Sequence, residues 1–305
     1  MALGTTNVSV SGIYSEVGKS TTTNLSLGDL RFAANDIDNQ AFATTSSSSN
    51  VNIGNWRGYD HRSMKFRYNP PLGYETYYDT SSTALGSGLG FTKSNTSAGD
   101  YTGTIAYNGS NSYSYFDGVS GGTAYKQNSS GYTTIVFWIK MDNTPSANVN
   151  ILTTDLDGLA DNVPYKGFHF NLTTTGQIRP VRGDGTGSAS SDRRSFGTSY
   201  TLNAGTWQMC AFILSHSSNT ASSSANYSYT KFAGGEEEGL SFLSGTGGAL
   251  AFENGSGGST DAMYLSTGVN SRYFRGSYGH FWVFAEALSA DDITTLFEGT
   301  SSYYE

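Results

Sequence analysis

The sequence is poor in cysteine, proline and charge. It has one cysteine, Cys210, and five prolines among 305 residues, and 14% of its residues are charged. A single cysteine excludes an internal disulfide framework. The formal net charge of -8 argues against the basic face that binds nucleic acid, and no apolar run approaches the roughly 18 residues of a membrane span. We therefore expect neither nucleic-acid binding nor membrane insertion.

The N-terminus also lacks the features of an export signal. Residues 1–7 contain neither a basic stretch nor an apolar stretch of the kind that a secretory signal requires. Together with the lone cysteine, this predicts synthesis in a reducing cytosol. The Ser-, Thr-, Gly- and Asn-rich composition is nevertheless typical of proteins that face an outside environment. A particle that assembles inside a cell and acts outside it would satisfy both observations.

Aromatic residues and glycine are abundant. The chain has 17 Phe, 21 Tyr and 38 Gly, and its many short apolar runs are separated by Gly, Asn and Ser turns. This pattern predicts an all-β domain, because an α/β protein should show helical periods between its strands. Single β-sandwiches reach roughly 200–250 residues. The larger C-terminal part can therefore form one domain.

Residues 1–61 differ from the rest, because they hold three short apolar motifs separated by polar residues. So few apolar residues cannot bury enough surface to fold independently. We expect this segment to become ordered by docking on a larger body. The residues expected to make the attachment are Ile13, Tyr14, Leu27, Leu30, Phe32, Ile53 and Trp56.

The most apolar strands are predicted near the middle and the end of the chain. Within residues 134–140, the five residues from Ile135 to Ile139 are continuously apolar, which is typical of a central strand. In the last strand, alternation predicts that both faces are apolar and covered. One face is expected to hold Tyr278, His280, Trp282 and Phe284, and the other Phe281 and Val283.

A short helix is predicted directly after the last strand. Ser289 is expected to cap its N-terminus, and Asp291 and Asp292 lie in its first turn, where the helix dipole favours negative charge. Gly299 is placed to end it. The helix is expected to pack one face on the sandwich through Ile293, Leu296 and Phe297.

Two sets of motifs in the chain resemble segments of phage virion proteins. The motif at residues 26–30 (Ser-Leu-Gly-Asp-Leu), followed by Asn-Ile-Gly-Asn-Trp-Arg-Gly at residues 52–58, is similar to the N-terminal arms of tailed-phage virion proteins. The later motifs, at residues 73–81, 101–109, 113–119, 134–140 and 264–293, resemble phage-borne laminin-G-like, concanavalin A-like jelly rolls. The resemblance implies an attachment arm at 1–61 and an antiparallel β-sandwich jelly roll at 62–305.

The resemblance also implies a function. A tail-fibre or baseplate adhesin would bind host surface glycans with the sandwich and other virion proteins with the arm. It would be a homo-oligomer located in the virion, after assembly in the bacterial cytoplasm. A capsid-decoration or head-fibre protein with the same domain is the alternative. A secreted bacterial lectin and a glycan-degrading enzyme remain further possibilities.

An enzymatic function finds little support in the sequence. Glycoside hydrolysis needs two carboxylates about 5–5.5 or 6.5–9.5 Å apart, and no strand carries the Glu-x-Asp-x-x-Glu pattern of the retaining jelly-roll enzymes. The residues Glu236 to Glu238 are expected in a solvated turn. No histidine lies near a Gly-x-Ser-x-Gly motif, and Cys210 is expected to be a small buried hydrophobe. We therefore expect a protein without catalytic activity.

Two weaker site predictions remain. Asp155, Asp157 and Asp161 place three carboxylates in a short turn, as a calcium site requires, although the spacing departs from the EF-hand pattern. A polar turn without metal is the competing interpretation, so no cofactor is required. Carbohydrate binding needs an aromatic plate beside hydrogen-bonding groups, but no spacing singles out one site. The loop aromatics that could supply the plate are Tyr125, Tyr132, Tyr165, Tyr227 and Tyr273.

Overall fold

The computed structural model describes most of the predicted strands. The residues described are 9, 64–69, 74–78, 84–86, 91–116, 132–153, 168–183, 193–197, 201–215, 230–233, 236–239, 241–244, 263–266, 272–284 and 286–305. The seven predicted attachment residues and the predicted calcium ligands Asp155, Asp157 and Asp161 lie outside them. The division at residue 61, the arm and the calcium site therefore stay predictions.

The described elements are almost all strands, as the composition predicts. The strands are β1 (Met64–Asn69), β2 (Tyr74–Tyr78), β3 (Ala84–Gly86), β4 (Phe91–Ser94), β5 (Ser97–Ala98), β6 (Ile105–Asn108), β7 (Tyr113–Phe116), β8 (Tyr132–Met141), β9 (Val149–Thr153), β10 (Phe168–Leu172), β11 (Ile178–Gly183), β12 (Arg193–Gly197), β13 (Trp207–Ser215), β14 (Thr230–Ala233), β15 (Glu236–Gly239), β16 (Ser241–Ser244), β17 (Met263–Leu265) and β18 (Arg275–Phe284). One α-helix, α1 (Ala290–Thr300), and a 3₁₀ turn (Ser301–Tyr303) follow β18.

The first sheet is built around the last strand. Its order is β13-β8-β18-β1-β2-β3, and every pairing is antiparallel. One edge of β18 pairs with β8, and its other edge is shared between two strands. Arg275 to Tyr278 pair with β6, whereas Phe281 to Phe284 pair with β1. The prediction that residues 134–140 form a central strand is confirmed, because β8 lies between β13 and β18.

The second sheet has the order β16-β12-β11-β10-β9-β17-β7-β4, and its pairings are also antiparallel. A separate two-stranded hairpin joins β14 and β15. The expectation of a turn at Glu236 to Glu238 is wrong. These residues form most of β15, because pairing with Lys231 to Ala233 of the neighbouring strand extends their backbone.

An apolar core fills the space between the two sheets, so the predicted β-sandwich is confirmed. Phe137 and Phe212 of the first sheet stack with ring centroids 6.0 Å apart, and Phe170 of the second sheet lies 4.6 Å from Phe212. Such aromatic pairs stabilise beyond the area that they bury. Cys210 is fully buried in this core and acts as the predicted small hydrophobe. Other core members are Ile135, Ile139, Ile151, Leu152, Leu172, Ile178, Met263, Leu265, Phe281 and Val283.

The last strand is covered on both faces, as predicted, but its faces are assigned differently. Tyr278 packs in the inter-sheet core with Phe281, whereas His280 stacks on Trp282 on the outer face. The register against β8 shifts between Tyr278 and Phe281, which pair with Ile139 and Phe137. Gly279 and His280 therefore stand opposite the single residue between those partners, in a β-bulge. Because a bulge inserts one residue, it reverses the alternation on one side of the shift.

Helix α1 covers the outer face of the first sheet. The Ser289 hydroxyl accepts from the Asp292 backbone N–H, and the Asp292 carboxylate accepts in return from the Ser289 N–H at 2.9 Å. This reciprocal capping box confirms the predicted start of the helix. Ile293 and Leu296 are buried, and Phe297 stacks on Trp138 at 5.5 Å, so the predicted packing face is confirmed as well.

The prediction that Gly299 ends the helix is wrong. The helix continues to Thr300, whose hydroxyl accepts from the Trp138 indole N–H at 2.8 Å. Ser301 keeps a right-handed conformation and starts the 3₁₀ turn. This turn returns the chain to the sheet, where Tyr304 packs between Trp138 and Trp207 at centroid distances of 4.4 and 4.8 Å. A left-handed glycine stop would have ended the helix before this contact.

Candidate ligand-binding cleft

A cleft of about 410 Å³ opens at one end of the sandwich. Its walls come from both sheets, at the point where β6 and β10 end and β9 and β18 begin. The loop between β8 and β9, residues 142–148, forms one side. The described residues that line it are Asn108, Gly109, Asn143, Thr144, Pro145, Ser146, Ala147, Val149, Leu172, Tyr273, Phe274 and Arg275.

The segment that carries Tyr273 is fixed on both sides by hydrogen bonds. The Arg272 carbonyl accepts from the Asn150 N–H at 3.0 Å. The Phe274 N–H donates to the Ser266 hydroxyl at 3.1 Å, and that hydroxyl donates in turn to the Ser112 carbonyl at 2.9 Å. The Phe274 ring is fully buried beneath the cleft. The half-buried Tyr273 side chain is therefore held at the cleft by a backbone with little freedom to move.

Arg275 is positioned by its neighbours in the first sheet. Its Cα pairs with that of Asn108, and its carbonyl accepts from the Asp142 N–H at 3.3 Å. Its stem lies against Gly109, which has φ +75°, and a Cβ there would come within 2.8 Å of the Arg275 Cβ. The Arg275 Nε is 3.7 Å from the Asp142 carboxylate, and the two side chains are 62% and 42% exposed. An ion pair this long and this exposed is weak.

Asn108 shapes the cleft rather than offering a free amide. Its side-chain oxygen accepts from the backbone N–H groups of Ser110, Asn111 and Ser112 at 2.8 to 3.2 Å. Its amide nitrogen donates to the Asn111 side chain at 2.7 Å. These bonds close the turn between β6 and β7, as Asn side chains commonly do. Asn108 is therefore already satisfied by its own loop.

The free hydrogen-bonding groups lie on the loop between β8 and β9. Asn143, Thr144 and Ser146 are exposed, and their side chains make no hydrogen bond to a described residue. Pro145 stands among them and restricts the backbone of the loop. An amide and two hydroxyls therefore face the same opening as the Tyr273 ring and the Arg275 guanidinium.

A second group of tyrosines lies on the outer face of the second sheet. Tyr113, Tyr115 and Tyr264 are half-buried on the neighbouring strands β7 and β17. Tyr115 and Tyr264 stack at 5.0 Å with 28° between their planes, and Tyr113 and Tyr115 stack at 6.4 Å with 19°. The faces of these three rings are therefore already in contact with one another. Tyr273 has no such ring partner among the described residues, so its face is the better candidate for a ligand.

The structure brings one of the five predicted loop aromatics to the cleft. Tyr273 lines it, whereas Tyr132 is the first residue of β8 rather than part of a loop. Tyr125, Tyr165 and Tyr227 lie outside the described residues. Sequence reasoning missed Arg275 and Asn143. Arg275 could have been found as a cation at the start of the last strand. Asn143 could have been found in the proline-containing turn after the central strand.

Buried tyrosine hydroxyls in the described structure have structural partners. Burial raises the pKa of Tyr107, Tyr278 and Tyr304 above the usual value of 10.0. Tyr278 donates to the Ile151 carbonyl at 2.7 Å, and Tyr107 shares a hydrogen bond with Ser114 at 2.5 Å. All three groups therefore stay protonated at neutral pH, and Tyr107 and Tyr278 link the two sheets.

The described residues hold neither a metal-binding cluster nor a membrane-spanning helix. The described ranges contain no group of three or more His, Cys, Asp or Glu side chains that could hold a metal ion. Among the helices of the described part, none is both long and apolar enough to cross a membrane.

Comparison with known proteins gives structural neighbours only. No family model matches the chain, and no curated protein matches its sequence. The binding domain of botulinum neurotoxin serotype D, solved in complex with N-acetylneuraminic acid, is 13% identical with a TM-score of 0.48, over 78% of this chain and 51% of that one. A structure of botulinum neurotoxin type C, whose cell entry depends on two ganglioside molecules, is 11% identical with a TM-score of 0.49, over the same shares.

The type DC binding domain in complex with SialylT is also 11% identical, with a TM-score of 0.45 over 73% of this chain and 50% of that one. This chain thus spans about half the length of these toxin domains. Similarity at this level carries no information about ligand or activity. The sugars named above are ligands of the toxins.

Proposed function

We propose that this protein is a carbohydrate-binding, adhesin-like β-sandwich without catalytic activity, and that the cleft around Tyr273 is its binding site. The observation that carries the proposal is the position of Tyr273. Its half-buried ring, free of aromatic partners in the described structure, shares an opening with the polar groups of Asn143, Thr144 and Arg275. An aromatic face beside hydrogen-bonding groups is the combination that a sugar ring requires.

The dimensions of the cleft support the same conclusion. Small-molecule sites commonly occupy roughly 300–1,000 Å³, and this cleft measures about 410 Å³. The apolar floor at Leu172 and Phe274 is fully buried. A sugar would place its C–H face on Tyr273 and direct its hydroxyls to the loop at residues 142–148. The rigid backbone around Tyr273 lowers the entropic cost of ordering the site.

The test is a glycan-array screen of the full-length protein, followed by titration of the best ligand with the Tyr273→Ala variant. We expect the substitution to weaken binding at least tenfold, because stacking and apolar burial on the ring are lost. Tyr303→Ala is the matched control, since Tyr303 is 43% exposed and lies outside the cleft. Equal affinity of Tyr273→Ala and the unmodified protein would contradict the assignment of the site.

We also propose that the chain is a structural protein of a tailed-phage virion, with residues 1–61 as its attachment arm. The support is the order of the apolar motifs in that segment, which resembles the N-terminal arms of tailed-phage virion proteins. Deleting residues 1–61 should leave a folded sandwich that no longer joins particles. Normal incorporation of the truncated protein would refute the proposal. Copy number per particle separates an adhesin, present in few copies, from a capsid-decoration or head-fibre protein.

A further inference from the structure

The cleft of this acidic protein is lined by an arginine. The net charge of the chain is -8, yet Arg275 is the one charged residue among the described residues that line the cleft. Arg272, three positions earlier on the same segment, is exposed as well. The nearest described counter-charge is Asp142. The described lining of the cleft therefore holds an arginine and no carboxylate, in a chain that has an excess of carboxylate.

The backbone and stem of Arg275 are positioned, whereas its guanidinium remains open to a ligand. Gly109 supports its stem and backbone pairing fixes its Cα, so the side chain starts from a defined position. Only its Nε lies near Asp142, at 3.7 Å, which is too long for a good hydrogen bond. The two terminal nitrogens make no hydrogen bond to a described residue. A planar pair of N–H donors is the geometry that binds a carboxylate or sulfate through two parallel bonds.

We infer that the cleft selects anionic saccharides, and that Arg275 is the residue that recognises their carboxylate or sulfate group. This inference rests on the proposed function, because it requires the sugar ring to lie on Tyr273. The ring of the saccharide supplies affinity through stacking, and the acidic group supplies selectivity through Arg275. A neutral sugar offers the guanidinium hydroxyl groups but no charged partner, so its hydrogen bonds to Arg275 are weaker. Asp142 lowers the attraction without abolishing it, since both charges are more than one third exposed.

The experiment compares three forms of one oligosaccharide, namely neutral, uronate and sulfated, by titration calorimetry on the full-length protein. We expect at least one anionic form to bind about tenfold more tightly than the neutral form at low salt, the order of a charge-assisted hydrogen bond. This advantage should shrink at high salt, because the site is open to solvent. The uronate and sulfated arms show which acidic group is preferred.

Substitutions test whether Arg275 is the residue that gives the cleft its preference for anionic saccharides. Arg275→Gln should remove the advantage of the anionic form, so that this variant binds the neutral and anionic forms with about equal affinity. Arg275→Lys keeps the charge but loses the two parallel donors, so it should retain only part of the advantage. Arg179→Gln is the control, because it removes the same charge from a partly exposed position outside the lining of the cleft. Asp142→Asn should strengthen binding of the anionic form severalfold.

The outcomes separate this inference from the function on which it rests. Equal binding of the neutral and anionic forms would overturn the inference and leave the carbohydrate site intact. A preference for the anionic form that persists unchanged in Arg275→Gln would overturn the role of Arg275. Binding of none of the three forms, with none found on the wider array, would overturn the proposed function and the inference with it.

Discussion

Removing one buried hydroxyl near the C-terminus should destabilise the whole sandwich. The Tyr304 hydroxyl accepts from the His280 backbone N–H at 2.7 Å and lies 2.6 Å from the His280 ring nitrogen Nδ1. Both residues are buried, and the N–H belongs to the β-bulge of β18. Tyr304→Phe leaves this N–H without its partner in an apolar layer, where water has little access. An unsatisfied buried donor costs about 1–3 kcal/mol.

Thermal and urea unfolding followed by circular dichroism would measure the loss. About 1–3 kcal/mol corresponds to a fall in Tm of roughly 2–10 °C for a domain of this size. Tyr304→Ala should cost more, about 3–5 kcal/mol, since it also removes the ring that packs on Trp138 and Trp207. Tyr303→Phe is the control, because that side chain is 43% exposed. If Tyr304→Phe and Tyr303→Phe unfold at the same temperature, the hydroxyl does not hold the bulge and the reasoning is refuted.

Three further predictions follow from local contacts. Ser289→Ala removes the cap of α1 and should lower the free energy of unfolding by about 0.5–2 kcal/mol in urea titrations, whereas Ser302→Ala at an exposed position should not. Burial raises the pKa of Tyr107 and Tyr278, so the folded state holds their protons more tightly than the unfolded state. Stability should therefore be unaffected by these groups below pH 10.0 and fall as the pH rises above it, which unfolding at graded alkaline pH would show. Cys210 is fully buried and should react with a thiol reagent only after denaturant is added, and rapid labelling of the native protein would contradict the core assignment.

Features encoded by neighbouring residues could be predicted from the sequence. The capping box needs only Ser289 and Asp292, which are three residues apart, and its chemistry is local. The central position of β8 follows from continuous apolarity, because a strand buried on both faces needs apolar residues at every position. The sandwich itself follows from many such runs separated by glycine-rich turns.

The β-bulge could not be predicted, because alternation alone does not show where an extra residue enters a strand. The bulge depends on a contact with Tyr304, which is distant in sequence from Gly279. A Cβ at Gly279 would collide with the Tyr304 hydroxyl, so glycine is needed there for close approach. The same difficulty applies to β15, since three successive glutamates give no strand signal and their extension depends on the partner strand β14.

The cleft was hidden from sequence reasoning for a related reason. Its walls come from Asn108, Asn143, Leu172 and Tyr273, which are separated by tens of residues along the chain. They meet only because both sheets present strand ends on the same side. Tyr273 could be named as one of several loop aromatics, but its exposure and its freedom from other rings depend on tertiary packing.

The position of β18 has a consequence for the order in which the protein can form. This strand lies between β8 and β1 in the first sheet, yet it is synthesised long after both of them, because β9 to β17 come before it in the chain. Until residues 275–284 emerge, β8 lacks one of its two partners and its apolar face is open. Pairings between such distant segments slow folding and prolong the exposure of unpaired edges. The first sheet can therefore close only after residues 275–284 have been synthesised, so β8 has one open edge while the intervening chain is made.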